Sequence, residues 1–202
     1  MKKLSAILLT IITAFAIAAA GSARATDNEV PAAPAIGATI ADFTLPDTNG
    51  KEQSLASLKG KNGTVLIFVA VQCPVSNAYN ERMEKLAHDY KARGISVVGI
   101  NSNSAEPTDA VKAHAAAHKM TFVILKDNGN KIADSLGAAK TPEAYVLDAN
   151  NKLVYHGRID NSRDLAQVNS SELRDALDAT LSGKPVTKAT AAAFGCAIKR
   201  AD

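Results

Sequence analysis

Two cysteines, Cys73 and Cys196, carry the thiol chemistry available to this sequence. Cys73 stands in VQCPVSN, directly after the apolar run TVLIFVA and at the start of a segment with helical period. Pro74 beside it suits the first position of a helix. A sulfur at that junction faces unpaired peptide N–H groups and the positive end of a helix dipole, an effect worth up to ~2 kcal/mol. That would move a thiol from ~8.5 to about 7, giving enough thiolate at neutral pH for nucleophilic attack. Three residues on stands Ser76. Its oxygen forms no stable bond to sulfur, but its hydroxyl can donate a hydrogen bond to a Cys73 thiolate. With one thiol alone such a protein would stall at a mixed disulfide or a sulfenic acid. Cys196 is the one internal candidate to resolve that state. Three readings of the pair stand side by side: a redox-active couple, a permanent staple closing a long loop, worth about 5 kcal/mol in chain entropy, and two separate thiols. In the last, Cys73 is a small buried hydrophobe.

Other residues offer less. His114 and His118 lie four apart on one predicted helix, a spacing that could present two imidazoles to a metal, but no third ligand follows at the usual spacing. They are read as the edge of a packed face. Arg158 in YHGRID is read as an ion-pair partner of Asp160 or an anchor for the tail, with charge support for the Cys73 thiolate as the functional alternative. The sequence calls for no metal and no cofactor.

The first residues run from two lysines through an apolar stretch, Leu4 to Ala20, to Ala23-Arg24-Ala25. That order predicts a secretory signal over residues 1–25, cleaved after Ala25, and a periplasmic or secreted protein. A membrane enters only if the segment stays uncleaved. The net charge of +3 belongs to this segment, because without Lys2, Lys3 and Arg24 the basic residues equal the 20 acids. A neutral chain with no basic run gives nucleic acid nothing to hold.

The rest divides into an Ala- and Pro-rich lead-in over residues 26–38, a domain over 39–183 and a tail over 184–202 that carries Cys196. Within the domain, IADFTL and the stretch after Asn49-Gly50 read as two short extended pieces around a turn. TVLIFVA, ISVVGIN and FVILKD are apolar runs of the kind found in strands covered on both faces. Helical period predicts one helix from Pro74 to Gly94, a second over TDAVKAHAAAHKM capped by Thr108, a short one at KIADSLGA, and a last one capped by Ser170 or Ser171 and ended at Gly183. EAYVLD and LVYHGRI read as a hairpin. Strands alternating with helices define an α/β sandwich with a mixed sheet. Phe194 and Ile198 around Cys196 predict a tail that folds back onto the domain.

FVAVQCPVS resembles the thioredoxin superfamily, with Cys73 at the attacking cysteine and Ser76 in place of the second. Thr141-Pro142 is similar to the Thr-Pro of that fold whose proline is cis and faces the attacking sulfur. IADFTLPDTNGKEQSLASLKGK looks like the opening of the redoxin branch that contains the alkyl hydroperoxide reductase and thiol-specific antioxidant proteins, with Ala41 where many have proline. CPVSN, YHGRID, GKPV and FGCAIKR together resemble its peroxiredoxin-like members. The resemblance implies a thioredoxin-like sandwich with helices flanking a mixed central sheet. It also implies an exported thiol-disulfide oxidoreductase with Cys73, Cys196, Ser76, Thr141 and Pro142 at its site. Protein thiols, disulfides or peroxide would be its substrates, and its electron donor is unidentified. A peroxiredoxin-like thiol peroxidase and a non-catalytic binding module with a structural disulfide are the alternatives. Ala70 stands where peroxiredoxins carry a hydroxyl, and Ile67 where thioredoxins bury an acid, so neither set of proton-handling residues is complete.

Overall fold

The computed structural model describes residues 30–201. The expected export signal and the start of the lead-in lie outside them. Among the described residues, no helix is long and apolar enough to cross a membrane.

In chain order the elements are β1 (Thr44–Pro46), β2 (Glu52–Ser54), α1 (Leu55–Leu58), β3 (Gly63–Phe68), α2 (Pro74–Ala78), α3 (Asn80–Lys91), β4 (Ile95–Asn101), α4 (Thr108–Ala117), β5 (Val123–Lys126), α5 (Lys131–Leu136), β6 (Lys140–Thr141), β7 (Glu143–Asp148), β8 (Leu153–Gly157), α6 (Glu172–Leu181), β9 (Thr190–Ala191) and β10 (Cys196–Ala197). Six of the strands form one mixed sheet in the order β5-β4-β3-β7-β8-β9. β3, β4 and β5 run parallel, β7 pairs antiparallel with β3, and β8 closes the hairpin on β7.

The unbroken apolar run of β3 follows from this placement. Its side chains alternate between two cores: Val65 and Ile67 face one with Met83, Leu86, Leu173 and Leu177, while Leu66 and Phe68 face the other with Leu136, Tyr145 and Ile198. Both faces are covered, so no residue of the strand needs to be polar. Ile67 is fully buried, and a carboxylate there would meet only hydrocarbon. This is the arrangement the resemblance implies, a mixed central sheet flanked by helices.

Four local readings need correction. The helix expected from Pro74 to Gly94 is two helices, divided at Tyr79, whose N–H turns back to Ser76 O at 3.0 Å and whose hydroxyl is held by Asp160 at 2.7 Å. Thr108 is not a cap: Pro107, extended at ψ 154°, precedes the helix, and no side chain caps it. Ser171 holds the N-cap position of α6 as expected but makes no side-chain capping bond, and the Ser170 hydroxyl donates to Glu172 at 3.0 Å. Arg158 pairs with the buried Glu172 rather than with Asp160, which is taken by Arg82 at 2.8 Å.

The tail folds back along both sides of the domain. β9 adds a parallel edge strand to β8, where Gly157 permits the approach: a Cβ there would lie 2.0 Å from Ala191 O. β10 pairs antiparallel with β6, setting Cys196 opposite Thr141.

Glu172 ties α6 to the hairpin and the tail. The Arg158 guanidinium beside it is the main reason its carboxyl is held at about 2, against the opposing effect of burial, and Lys188 adds a bond of 2.8 Å. A depressed carboxyl stabilises the fold above its unfolded value of ~4.3, and that contribution fades as pH falls toward the folded value. Glu172→Gln should therefore cost on the order of 3 kcal/mol at neutral pH, as expected for breaking a buried pair. Urea unfolding of both proteins at a series of pH values should show the difference shrink between about pH 5 and pH 2.

Candidate functional site

The site forms where β3 ends. Val69 N–H donates to Ile100 O at 2.9 Å, the last backbone bond joining this segment to β4, and the chain then leaves the sheet as a loop. Two exposed N–H groups of that loop would be hard to fix by local structure alone. Glu106 fixes them: its carboxylate accepts Val71 N–H at 3.0 Å and Gln72 N–H at 2.8 Å. Burial raises the Glu106 carboxyl, but these bonds and that from Asn101 outweigh it and hold it below the usual range. Asn101 in turn donates to Glu106 at 2.6 Å and accepts from the buried Lys126 ammonium at 2.8 Å. The loop is thus clamped from beneath by a chain of buried polar groups.

Cys73 follows as the N-cap of α2, with its sulfur accepting Ser76 N–H at 3.3 Å. The Ser76 hydroxyl does not turn to the sulfur. It accepts Ala70 N–H at 3.1 Å and braces the loop, so Ser76 meets Cys73 through its main chain. Asn77 closes the same loop with a bond to Val71 O at 3.0 Å.

Across from α2, the Thr141-Pro142 peptide bond is cis. The Cys73 thiol donates to Thr141 O at 3.2 Å. Glu143, next along, receives Ala139 N–H and Lys140 N–H at 2.8 Å each, which holds β6 in place, and it takes His156 Nε2 at 2.6 Å. The Thr141 hydroxyl is buried and has no hydrogen-bond partner, and its side chain favours the ionised form of Cys73.

Cys196 completes the site. It is the strand partner of Thr141, whose carbonyl accepts the Cys73 thiol at 3.2 Å, so the two cysteines are neighbours. Both cysteines are free thiols; Cys73 is 2% exposed and Cys196 is half-buried. The electrostatics set them apart. Burial pushes the Cys73 thiol up, but the bonds from the Cys196 thiol, the Thr141 side chain, Ser76 N–H and Cys196 N–H together hold it below the usual thiol range. Cys196 is raised, first by the neighbouring Cys73 and then by burial. Each cysteine thus affects the acidity of the other, and the ionised form is favoured at Cys73.

The five residues expected at the site, Cys73, Ser76, Thr141, Pro142 and Cys196, are thus brought together. His114 and His118 are not: His114 Nε2 meets Asn80 Nδ2 at 3.1 Å, its ring is 4.3 Å from that of His118, and among the described residues no three metal-ligating side chains converge. Arg158 is spent on Glu172. Glu106 escaped sequence reasoning. Its signal was an acid just past the end of the buried strand ISVVGIN, where an open sheet places its loops.

A mixed sheet with a cysteine capping a helix after the central strand, opposite a Thr-cis-Pro segment, defines a thioredoxin-fold redoxin. Residues 36–156 match the AhpC/TSA family, and the chain belongs to it. It is similar to the chloroplastic peroxiredoxin Q of Sedum lineare, 34% identical over 150 residues that span 68% of this chain and 77% of that protein. It is also similar to the thiol-disulfide oxidoreductase ResA of Halalkalibacterium halodurans, 29% identical over 58% of this chain and 65% of the relative, just under two thirds of the latter's length. Among solved structures, a hypothetical protein of Sinorhizobium meliloti superposes with a TM-score of 0.78 at 35% identity, covering 84% of this chain and 97% of that one.

The charge bias at Cys73 has a direct readout. The alkylation rate of Cys73 by iodoacetamide, followed by peptide mass, should rise with pH through a midpoint below the usual thiol value of ~8.5. Thr141→Val and Cys196→Ala each remove a donor to the ionised sulfur, so both should move the midpoint upward.

Proposed function

We propose that this protein is a thiol-disulfide oxidoreductase in which Cys73 is the nucleophile and Cys196 the resolving cysteine. The observation that carries this reading is the meeting of two free thiols at Thr141, one bonded to its carbonyl and one on its strand partner, with acidities pulled in opposite directions. The Cys73 thiolate attacks one sulfur of a disulfide, forms a mixed disulfide and expels the other sulfur as a thiolate. Once Cys73 is bonded it carries no charge and takes no proton from Cys196, so the main cause of the raised Cys196 value disappears. Val75 N–H and Lys140, which favour the ionised form, remain. Cys196 then loses its proton to the departing thiolate or to solvent and attacks Cys73 Sγ. The Cys73–Cys196 bond forms, the second substrate thiolate leaves, and two electrons have passed to the substrate. An external dithiol reverses the process. Thr141 and Pro142 wall the reacting sulfur, and Ser76 supports it through its N–H.

A second reading is favoured by the likeness to peroxiredoxin Q. The same thiolate attacks a peroxide oxygen, an alcohol or water leaves, and Cys196 displaces water from the sulfenic acid. Ala70, in place of a hydroxyl residue, leaves that route without the donor which holds a peroxide in line, so it is the slower of the two. Protein or small-molecule thiols and disulfides and peroxides are the substrates to test. The export pattern read at residues 1–25 supports an oxidising compartment for this chemistry, where such bonds persist.

Reduced protein exposed to a small disulfide should reach a single intramolecular bond. Cys196→Ser should stop at a mixed disulfide on Cys73, visible as a mass adduct, and Cys73→Ser should lose turnover by at least about a thousandfold, as for loss of a nucleophile. A Cys73→Ser protein that turns over normally would exclude the reading.

A further inference from the structure

β6 consists of two residues, Lys140 and Thr141, and its strand partner is β10, the segment that carries Cys196. An extended polypeptide that reached Cys73 would bind by adding a strand to that edge, main chain to main chain, with its own sulfur opposite Thr141. The tail already does this. Cys196 is the register partner of Thr141 in an antiparallel pair, Thr141 O accepts the Cys73 thiol at 3.2 Å, and Ile198 N–H extends the ladder to Ala139 O at 3.0 Å. We infer that the C-terminal strand is a built-in occupant of the polypeptide-binding edge, seated by Gly195, and that it restricts the site to small disulfides and peroxides.

Two further sets of contacts show a fixed occupant. Beyond Cys196, Lys199 N–H donates to Asn103 Oδ1 at 2.7 Å, Ser104 N–H donates to Lys199 O at 2.9 Å, and Arg200 pairs with Asp134 at 2.8 Å. Before it, Phe194 packs edge-on against Tyr79 at 6.3 Å, and Arg158 N–H holds Ala191 O at 3.2 Å. Ile198 is buried in the same core as Phe68 and Leu136. Under this strap Cys73 is left 2% exposed, which admits a small reagent through local opening but no extended chain.

Gly195 sets how close the strap lies. Its φ is +141°, and a Cβ there would stand 2.1 Å from Thr141 O and 2.9 Å from Thr141 C, both backbone atoms on the strand it must meet. Any larger residue must lift β10 from β6. Gly195 is thus a positioning residue: it touches neither sulfur, yet it decides whether the groove beside Cys73 is filled.

The inference rests on the proposed role of Cys73, so the test separates the two. Reduced wild-type, Gly195→Ala and Arg200→Ala proteins are labelled with iodoacetamide or with a polyethylene glycol maleimide, and modification of Cys73 is quantified apart from Cys196 by peptide mapping. In the wild type the rate ratio of large to small reagent at Cys73 should fall about tenfold or more below that at a surface thiol of a reference protein; Gly195→Ala should restore it by about tenfold, and Arg200→Ala should move it the same way by less. A wild-type ratio equal to the reference overturns the inference, whether or not the variants fold. So does a low wild-type ratio that both variants, folded by circular dichroism, leave unchanged. In parallel, the three reduced proteins are mixed with 2-hydroxyethyl disulfide or with an unfolded disulfide-bonded polypeptide. Oxidation of the wild type by the small disulfide alone, with Gly195→Ala gaining the polypeptide, supports the inference. Equal use of both by the wild type overturns it. Use of neither overturns the proposed function, while the labelling ratio still decides the strap.

Discussion

The site depends on the pairing of β10 with β6, which sets Cys196 opposite Thr141 and so beside Cys73. A thiol buried to the extent of Cys73 is by itself a weaker acid than one in water, because charge is costly away from solvent. Cys196, the Thr141 side chain and Ser76 N–H reverse that balance, and the first of these comes from far along the chain. Removing the tail would therefore remove a partner and also the largest influence that favours the charged sulfur.

Much of the remaining architecture can be understood as holding that contact. Glu106, Asn101 and Lys126 fix the loop before Cys73 from below, and Ser76 ties the start of α2 to Ala70. Glu143 holds β6 by two main-chain N–H groups, and β6 holds β10. Buried polar groups of this kind are costly if left unmatched, and here most are matched by the very backbone whose position matters. The exceptions among the described residues are the Thr141 hydroxyl beside Cys73, Asn77 Oδ1 in the same site, Asn151 Oδ1, and Arg158 Nε and Glu172 Oε2 within the ion cluster that ties α6 to the hairpin.

The fold was legible because β3, β4 and β7 are buried on both faces and their apolar runs are long, which leaves one architecture open to alternating strands and helices. The Cys73 junction was legible too, since Pro74 marks the helix start in the sequence itself. Caps were less so: whether Ser170 caps a helix depends on Glu172, and Glu172 depends on Arg158 in another element. Glu106 was missed because its partners, two backbone amides of a loop distant in sequence, leave no pattern of residue types. The break at Tyr79 had the same cause, a bond to Asp160 that helical period does not record.

The central claim is that the two sulfurs stand ready to bond with the tail in place, so that oxidation needs no rearrangement of the chain. Amide hydrogen exchange of the fully reduced and fully oxidised protein tests it most directly. Oxidation should yield one Cys73–Cys196 bond, with the protection of Ile198 and Lys199 amides kept in both states. Loss of that protection in either state, or oxidation that links separate molecules instead, would contradict it.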